Sequence, residues 1–192
     1  MKVLKFGGTS VANAQNILLV EKIVKKESLE NRVVVVVSAL SGVTDGLISA
    51  AESASAKNEN YSETIKALEE KHLEFVKNLL PITEQSSWLS FVKKNFNDIE
   101  DICNGIYVLG EFTPRIKDKI TAYGEFLSSN IIAAKLKSDG LDCVWLDSRN
   151  YIKTNSNFTD AKVDFEPTNA ALQNYFKENK QQITLAPGFI AS

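Results

Sequence analysis

The sequence is poor in the residues that build metal and thiol chemistry. Its 192 residues hold one histidine, His72, and two cysteines, Cys103 and Cys143. A structural zinc site needs four nitrogen or sulfur ligands, so that class falls away and no metal site is expected. Neither cysteine sits in a motif, and two isolated thiols read as buried small apolar residues in a reducing compartment. No G-x-S-x-G elbow occurs, and a Ser-His-Asp triad would have to use a histidine placed in a helical stretch far from any strand end. Charge of one sign is not in excess: 22 Lys+Arg stand against 24 Asp+Glu. That balance argues against a nucleic-acid partner. The longest apolar run, Val33 to Val37, is strand-sized and far short of the roughly 20 residues of a membrane span. Met1-Lys2-Val3-Leu4-Lys5 enters a strand-like pattern directly, with no signal-peptide hydrophobic region. A cytoplasmic protein with no membrane partner is therefore expected. What remains, 44% hydrophobic and 24% charged residues, is the composition of a soluble globular domain rather than a disordered chain.

Strand and helix patterns alternate. Val3 to Phe6, Arg32 to Val37, Asp142 to Leu146 and Gln182 to Ala186 read as buried strands, and the valine run as a central parallel one. Between them, a helix capped by Ser10 would carry Val11, Ala14, Ile17, Leu18, Ile23 and Val24 on one face. A second helix should begin near Thr44-Asp45, and a third should span about Arg115 to Lys137 with Gly140 as its stop. From about residue 53 to 110 no strand is predicted. Ile65, Leu68, His72, Phe75, Val76 and Leu79 repeat at helical spacing up to Pro81, and one or two further helices follow. The pattern predicts an α/β fold with a largely parallel sheet and a helical insertion within it.

Three stretches carry candidate chemistry. Lys5-Phe6-Gly7-Gly8-Thr9-Ser10 takes a strand through a glycine pair toward a helix N-terminus. Such a turn lets backbone N–H groups approach an anion closely, with Lys5 adding a full charge. It is neither a Walker A loop nor a dinucleotide fingerprint, and a plain tight turn with a solvated lysine stays open. Ser38-Ala39-Leu40-Ser41-Gly42-Val43-Thr44-Asp45 follows the second strand, where open parallel sheets bind ligands. Ser38, Ser41 and Thr44 offer hydroxyls there, while capping by Thr44 or Asp45 is the plainer account. Tyr123-Gly124-Glu125 places a glycine in an apolar helical face, which suggests close approach of another group. Glu125 could hold an ammonium group or lie at the helix edge in water. His72 is read as structural, Asp147-Ser148-Arg149 as a turn with a surface ion pair or a ligand contact, and the charges of Lys57 to Lys77 as solvated helix faces.

Taken together, Met1-Lys-Val-Leu-Lys-Phe-Gly-Gly-Thr-Ser-Val-Ala-Asn-Ala14 resembles the opening of aspartokinases, most closely the kinase end of bifunctional aspartokinase–homoserine dehydrogenases. The Val37 to Leu47 stretch, the Gly124-Glu125 pair and Ala186-Pro-Gly-Phe-Ile190 look like the family's later motifs in the right order. The resemblance implies the amino acid kinase fold, a three-layer α/β/α sandwich that is here incomplete. It implies transfer of the γ-phosphoryl of ATP, with Mg²⁺ carried on the nucleotide, to the side-chain carboxylate of L-aspartate, the first step toward lysine, threonine and methionine. Lys5 would neutralise the transferring group. Gly7, Gly8, Thr9 and Ser10 would bind its phosphates, Ser38 and Thr44 would hydrogen-bond aspartate, and Glu125 would pair with its α-ammonium. A glutamate, acetylglutamate, carbamate or UMP kinase and a non-catalytic amino-acid-binding module are the alternatives. The family's Gly-Arg-x-Gly-Ser-Asp run, adenine-binding half and regulatory modules are not present. Residues 1–192 are thus expected to be the aspartate- and phosphate-side part of a longer, homo-oligomeric protein, inactive when isolated.

Overall fold

A computed structural model describes residues 1–192. Four strands form one sheet: β1 (Lys2–Phe6), β2 (Val33–Val37), β3 (Cys143–Trp145) and β4 (Ile183–Pro187), in the order β1-β2-β4-β3 and all parallel. The helices are α1 (Ala14–Ser28), α2 (Val43–Ser55), α3 (Tyr61–Leu79), α4 (Ile82–Leu109), α5 (Pro114–Ser138) and α6 (Phe165–Glu178). A 3-10 turn occupies Ser148–Asn150.

Side-chain parity along the strands explains the layers. Val33, Val35, Val37, Ile183 and Leu185 belong to a core of 36 buried residues shared with α1 to α5. Ala186, from the alternate set, joins Leu146 and Tyr175 in a small cluster packed by Leu172 and Phe176 of α6. Successive strand residues point to opposite faces, so the sheet lies between these two helical layers. The core is lopsided: 36 residues against three leave Val34 and Val36, on the α6 side, only half buried.

The strands fall within a residue or so of their expected places, and residues 53–110 contain no strand. Two helices differ from the sequence reading, α1 in its start and α6 in its presence, while α4 is one of the one or two helices expected after Pro81. Helix α1 starts at Ala14, not after Ser10: Asn13 is its cap, its side-chain oxygen accepting from the Asn16 N–H at 2.9 Å. The Ser10 N–H instead donates to the Gly7 carbonyl at 2.9 Å and closes a turn. The stretch after Phe96 continues as a single 28-residue helix, α4, ended by left-handed Gly110. Helix α6 was not foreseen. Its start is legible in retrospect as Asp164, whose carboxylate accepts from the Glu166 N–H at 3.3 Å. No helix is long and apolar enough to cross a membrane.

Candidate active site

Because every strand is parallel, every strand ends at the same edge, and the turns after β1, β2 and β4 meet there. The Ser38 N–H donates to the Phe6 carbonyl at 3.1 Å and the Gly188 N–H to the Val37 carbonyl at 2.9 Å, which extends the sheet by one bond on either side of β2. Backbone atoms of three strand ends are thereby held as rigidly as the sheet itself.

An open pocket of about 310 Å³ lies at this edge, between the β1–α1 and β2–α2 turns. Gly8, Thr9, Ser38, Ser41, Thr44 and Asp45 supply its polar lining. Gly8 lies against the β2–α2 turn: a Cβ there would stand in ordinary contact with the Ala39 carbonyl oxygen at 3.4 Å and the Ser41 Cα at 3.9 Å. Gly7 faces open space. Lys5 pairs in register with Val36, so it lies on the α6 side of the sheet, with its Nζ 5.7 Å from the centre of the Phe189 ring. Lys5, Gly7 and Glu125 are not in the pocket lining itself. Ser10 lines an adjoining groove with Phe6, Asn16 and Leu19.

Helix α2 starts differently from the capping expectation. Its N-cap is Gly42 in the left-handed conformation (φ 77°), and no side chain caps it. Thr44 and Asp45 lie inside the first turn; the Val43 N–H donates to the Leu40 carbonyl at 3.0 Å, and the Thr44 and Asp45 amides are the donors left for a ligand. The single charged side chain in the pocket lining is thus Asp45, an anion.

Three contacts clamp α5 onto the Ser38–Ala39 turn. At Gly124 the helices come so close that a Cβ would lie 2.9 Å from the Ala39 Cβ and 3.3 Å from Val43 Cγ1. The Ser128 hydroxyl donates to the Ser38 carbonyl at 2.8 Å. Between them Glu125 is 8% exposed, which removes the reading of a carboxylate at the helix edge in water. Burial pushes its carboxyl above the ordinary range, and its own N–H and that of Ala39 pull partly back. No cation of the chain pairs with it: the ion pairs are Lys2–Glu27, Lys135–Asp139 and Arg149–Asp147. The site therefore holds a buried carboxyl without a cation, one residue behind the pocket wall.

The other candidates resolve as follows. His72 is fully buried against Phe96, its Nδ1 2.7 Å from the Leu68 carbonyl and its Nε2 without a partner, and burial lowers its pKa to about 4. It is a neutral structural residue. The thiols of Cys103 and Cys143 are free and buried, pushed up to about 11 and about 12, so neither is a nucleophile. Arg149 forks onto Asp147 at 2.8 and 2.6 Å and lies 5.0 Å over Phe126, as the ion-paired turn reading had it. Two lysines of the Lys57 to Lys77 stretch make tertiary hydrogen bonds as well as facing solvent. Lys57 bonds the Tyr107 and Val108 carbonyls at the end of α4, and Lys71 bonds the Ser41 carbonyl in the pocket wall. Periodicity could not reveal this, since it places a residue on a helix face but not against a distant loop.

A parallel α/β/α sandwich with an anion-suited glycine turn defines the class. The profile of the amino acid kinase family matches residues 1–192, and the chain belongs to that family. It is 36% identical to bifunctional aspartokinase/homoserine dehydrogenase 1, chloroplastic, of Arabidopsis thaliana over 99% of its length and 21% of that protein. It is 32% identical to the bifunctional aspartokinase/homoserine dehydrogenase of Buchnera aphidicola over its whole length and 24% of that protein. The chain thus spans about a fifth to a quarter of the length of these curated relatives. The fold matches that of E. coli aspartokinase III in complex with aspartate and ADP, with a TM-score of 0.87 at 23% identity over 100% of this chain and 41% of that one.

Proposed function

We propose that this chain supplies the aspartate- and phosphate-binding side of an aspartate kinase, with residues 53–110 as a helical insertion in that domain. The observation that carries the reading is the buried Glu125 carboxyl, which has no cation of its own beside a small polar pocket. An amino acid's α-ammonium is the group that would complete it, because a buried charge is tolerated when paired. The names of the relatives support the same substrate class.

In this reading ATP and L-aspartate are the substrates, and Mg²⁺ arrives with the nucleotide. The residues fit phosphate: Gly7 and Gly8 present backbone N–H groups without side chains over them, and Lys5 stands near the end of β1, the strand that leads into them. A carboxylate oxygen of aspartate forms the new bond to the γ-phosphorus as the bond to the β–γ bridging oxygen breaks, and ADP leaves. Two anions must meet, so positioning and charge neutralisation dominate. Lys5 and the Gly7 and Gly8 amides face the transferring oxygens, with Thr9 and Ser10 completing the phosphate side. Ser38 and Thr44 donate to the acceptor carboxylate and Glu125 fixes the ammonium. No general base is needed, since a free carboxylate is already ionised at pH 7.

The test is ATP-dependent formation of an acyl phosphate by the full-length protein, trapped with hydroxylamine. A hydroxamate from aspartate that falls by about 10²- to 10³-fold with Lys5→Ala is expected, the loss typical of removing one donor from a preorganised transition-state site. Hydroxamate from another carboxylic acid, with none from aspartate, would keep the fold and overturn the substrate.

A further inference from the structure

Three residues other than glycine hold a left-handed backbone: Lys57 (φ 59°), Thr159 (φ 68°) and Phe189 (φ 51°). That conformation crowds the Cβ of an L-residue and is an outlier for a bulky side chain, so it persists where surrounding contacts impose it. Two of the three are accounted for by local bonds. The Lys57 ammonium holds the Tyr107 and Val108 carbonyls at the end of α4. The Thr159 N–H donates to the Asp118 carboxylate at 2.8 Å. Phe189 is the one at the strand-end edge, and its ring meets the ammonium of Lys5, 5.7 Å from the ring centre.

The backbone around Phe189 is pinned on both sides. Before it, the Gly188 N–H donates to the Val37 carbonyl at 2.9 Å. After it, Ile190 is buried and the Ser192 N–H donates to the Ile152 carbonyl at 3.0 Å. Register places Lys5, Val36 and Ala186 side by side on β1, β2 and β4. The outer two of those strands are about 10 Å apart, twice the spacing of neighbouring strands. The contact with Phe189 thus draws the Lys5 side chain across β2, toward the end of β4. A ring face attracts an ammonium through its quadrupole without offering it a strong acceptor. All three N–H donors stay free for phosphoryl oxygens, whereas a carboxylate in the same place would occupy them and cancel the charge.

We propose that Phe189 is a positioning residue for phosphoryl transfer: its ring, held by the strained turn after β4, fixes where the Lys5 ammonium stands. This rests on the functional reading above and deepens it. A lysine ammonium rides on a flexible four-carbon stem, and fixing it beforehand removes a reorganisation that would otherwise accompany the reaction. The strain at residue 189 is part of that arrangement.

Full-length wild type, Phe189→Leu, Phe189→Tyr and Phe189→Gly test it, in the hydroxylamine assay with aspartate and ATP and in thermal melts. Leu keeps apolar bulk without a quadrupole, Tyr keeps the ring, and Gly relieves the backbone. The expected result is a kcat lowered about 3- to 30-fold in Phe189→Leu, the worth of one cation–π contact. Both KM values should stay within about threefold of wild type, since the contact acts on the transition state. Phe189→Tyr should stay near wild type. Phe189→Gly should melt no lower than wild type yet lose at least as much kcat as Phe189→Leu, a split that a merely structural residue would not give. An unchanged kcat in Phe189→Leu overturns the inference, and so does a loss that Tyr fails to rescue. A readout independent of the reaction is the NMR signal of Lys5 after reductive methylation of the lysines with labelled formaldehyde, assigned by its loss in Lys5→Arg. Over a ring face it should lie upfield in wild type and Phe189→Tyr, and move downfield in Phe189→Leu. An unshifted signal in wild type overturns the inference as well. An upfield signal in a wild type that does not turn over aspartate upholds the Lys5–Phe189 pairing and marks the failure of the functional reading instead.

Discussion

Gly124→Ala gives a prediction in which intrinsic propensity and packing have opposite signs. In an isolated helix the change should stabilise by about 0.5–1 kcal/mol, because glycine loses more conformational freedom than alanine. Here the new Cβ would lie 2.9 Å from the Ala39 Cβ and 3.3 Å from Val43 Cγ1. Carbon atoms want roughly 3.5–4.0 Å, so α5 must retreat from the Ser38–Ala39 turn by several tenths of an ångström. Val43 Cγ1 can yield by a change of rotamer, but the nearer obstacle, the Ala39 Cβ, moves only with its backbone. Overpacking of this kind costs about 1–3 kcal/mol. The net expectation is a loss of about 1–2 kcal/mol, which for a domain of this size is a fall in Tm of about 2–8 °C. The retreat also carries Glu125 away from the pocket wall, and misplacement near an ångström can cost on the order of 10²-fold in turnover. Thermal melts and aspartate kinetics read the two effects separately. The decisive arm is Gly124→Ala combined with Ala39→Gly, which removes the opposing Cβ. The pair should regain most of the stability and activity lost by the single change. A Gly124→Ala protein that melts higher than wild type, or a double variant no better than the single one, would refute the close-packing argument.

Other expectations follow from the same contacts. His72 has a depressed pKa in the fold, so the unfolded chain binds the proton first and stability is lost as pH falls from about 6.5 toward about 4. The loss amounts to about 3 kcal/mol for this depression, and denaturant melts of His72→Leu should show that acid limb flattened. Glu125 carries a raised pKa, so its contribution is favourable while it is protonated and is lost as pH rises through the folded value. Glu125→Gln should therefore leave the unliganded protein as stable as wild type or more so at pH 7–8, by calorimetry. Gly42→Ala forces a Cβ into the left-handed conformation at the start of α2 and should cost about 1–2 kcal/mol by chemical denaturation. Ser128→Ala removes the hydroxyl bonded to the Ser38 carbonyl and should cost about 1 kcal/mol, with a larger effect on aspartate KM than on ATP KM.

Legibility in the sequence followed the range of the interaction. The strand at Val33–Val37 and the amphipathic run of α5 are local patterns, and both stand within a residue or so of their expected ends. The glycine at 124 announced a close approach, and the structure supplies the partner, Ala39. The cap of α1 was misplaced because Ser10 and Asn13 both carry capping chemistry. What decides is that residues 7–10 are already used in a turn after β1. Helix α6 leaves no periodic signal in the sequence, because only Thr168 and Tyr175 of it are buried. Burial of Glu125 and the reach of Lys71 to Ser41 depend on residues 86 and 30 positions apart. No window of sequence contains such contacts; for Glu125 the one local sign is chemical, a charge beside a glycine, and for Lys71 there is none.

The central claim is that the buried, unpaired carboxyl of Glu125 reads an ammonium group. The most direct test sets L-aspartate against succinate, the same dicarboxylate without the amine, in the hydroxylamine assay with full-length wild type and Glu125→Gln. The wild type should prefer aspartate in kcat/KM by about 30- to 1000-fold, the cost of leaving one member of a buried charge pair alone being about 2–4 kcal/mol. Glu125→Gln should lose most of that preference by failing on aspartate while treating succinate much as before. Discrimination of equal size in both proteins would contradict the account and place recognition of the ammonium elsewhere.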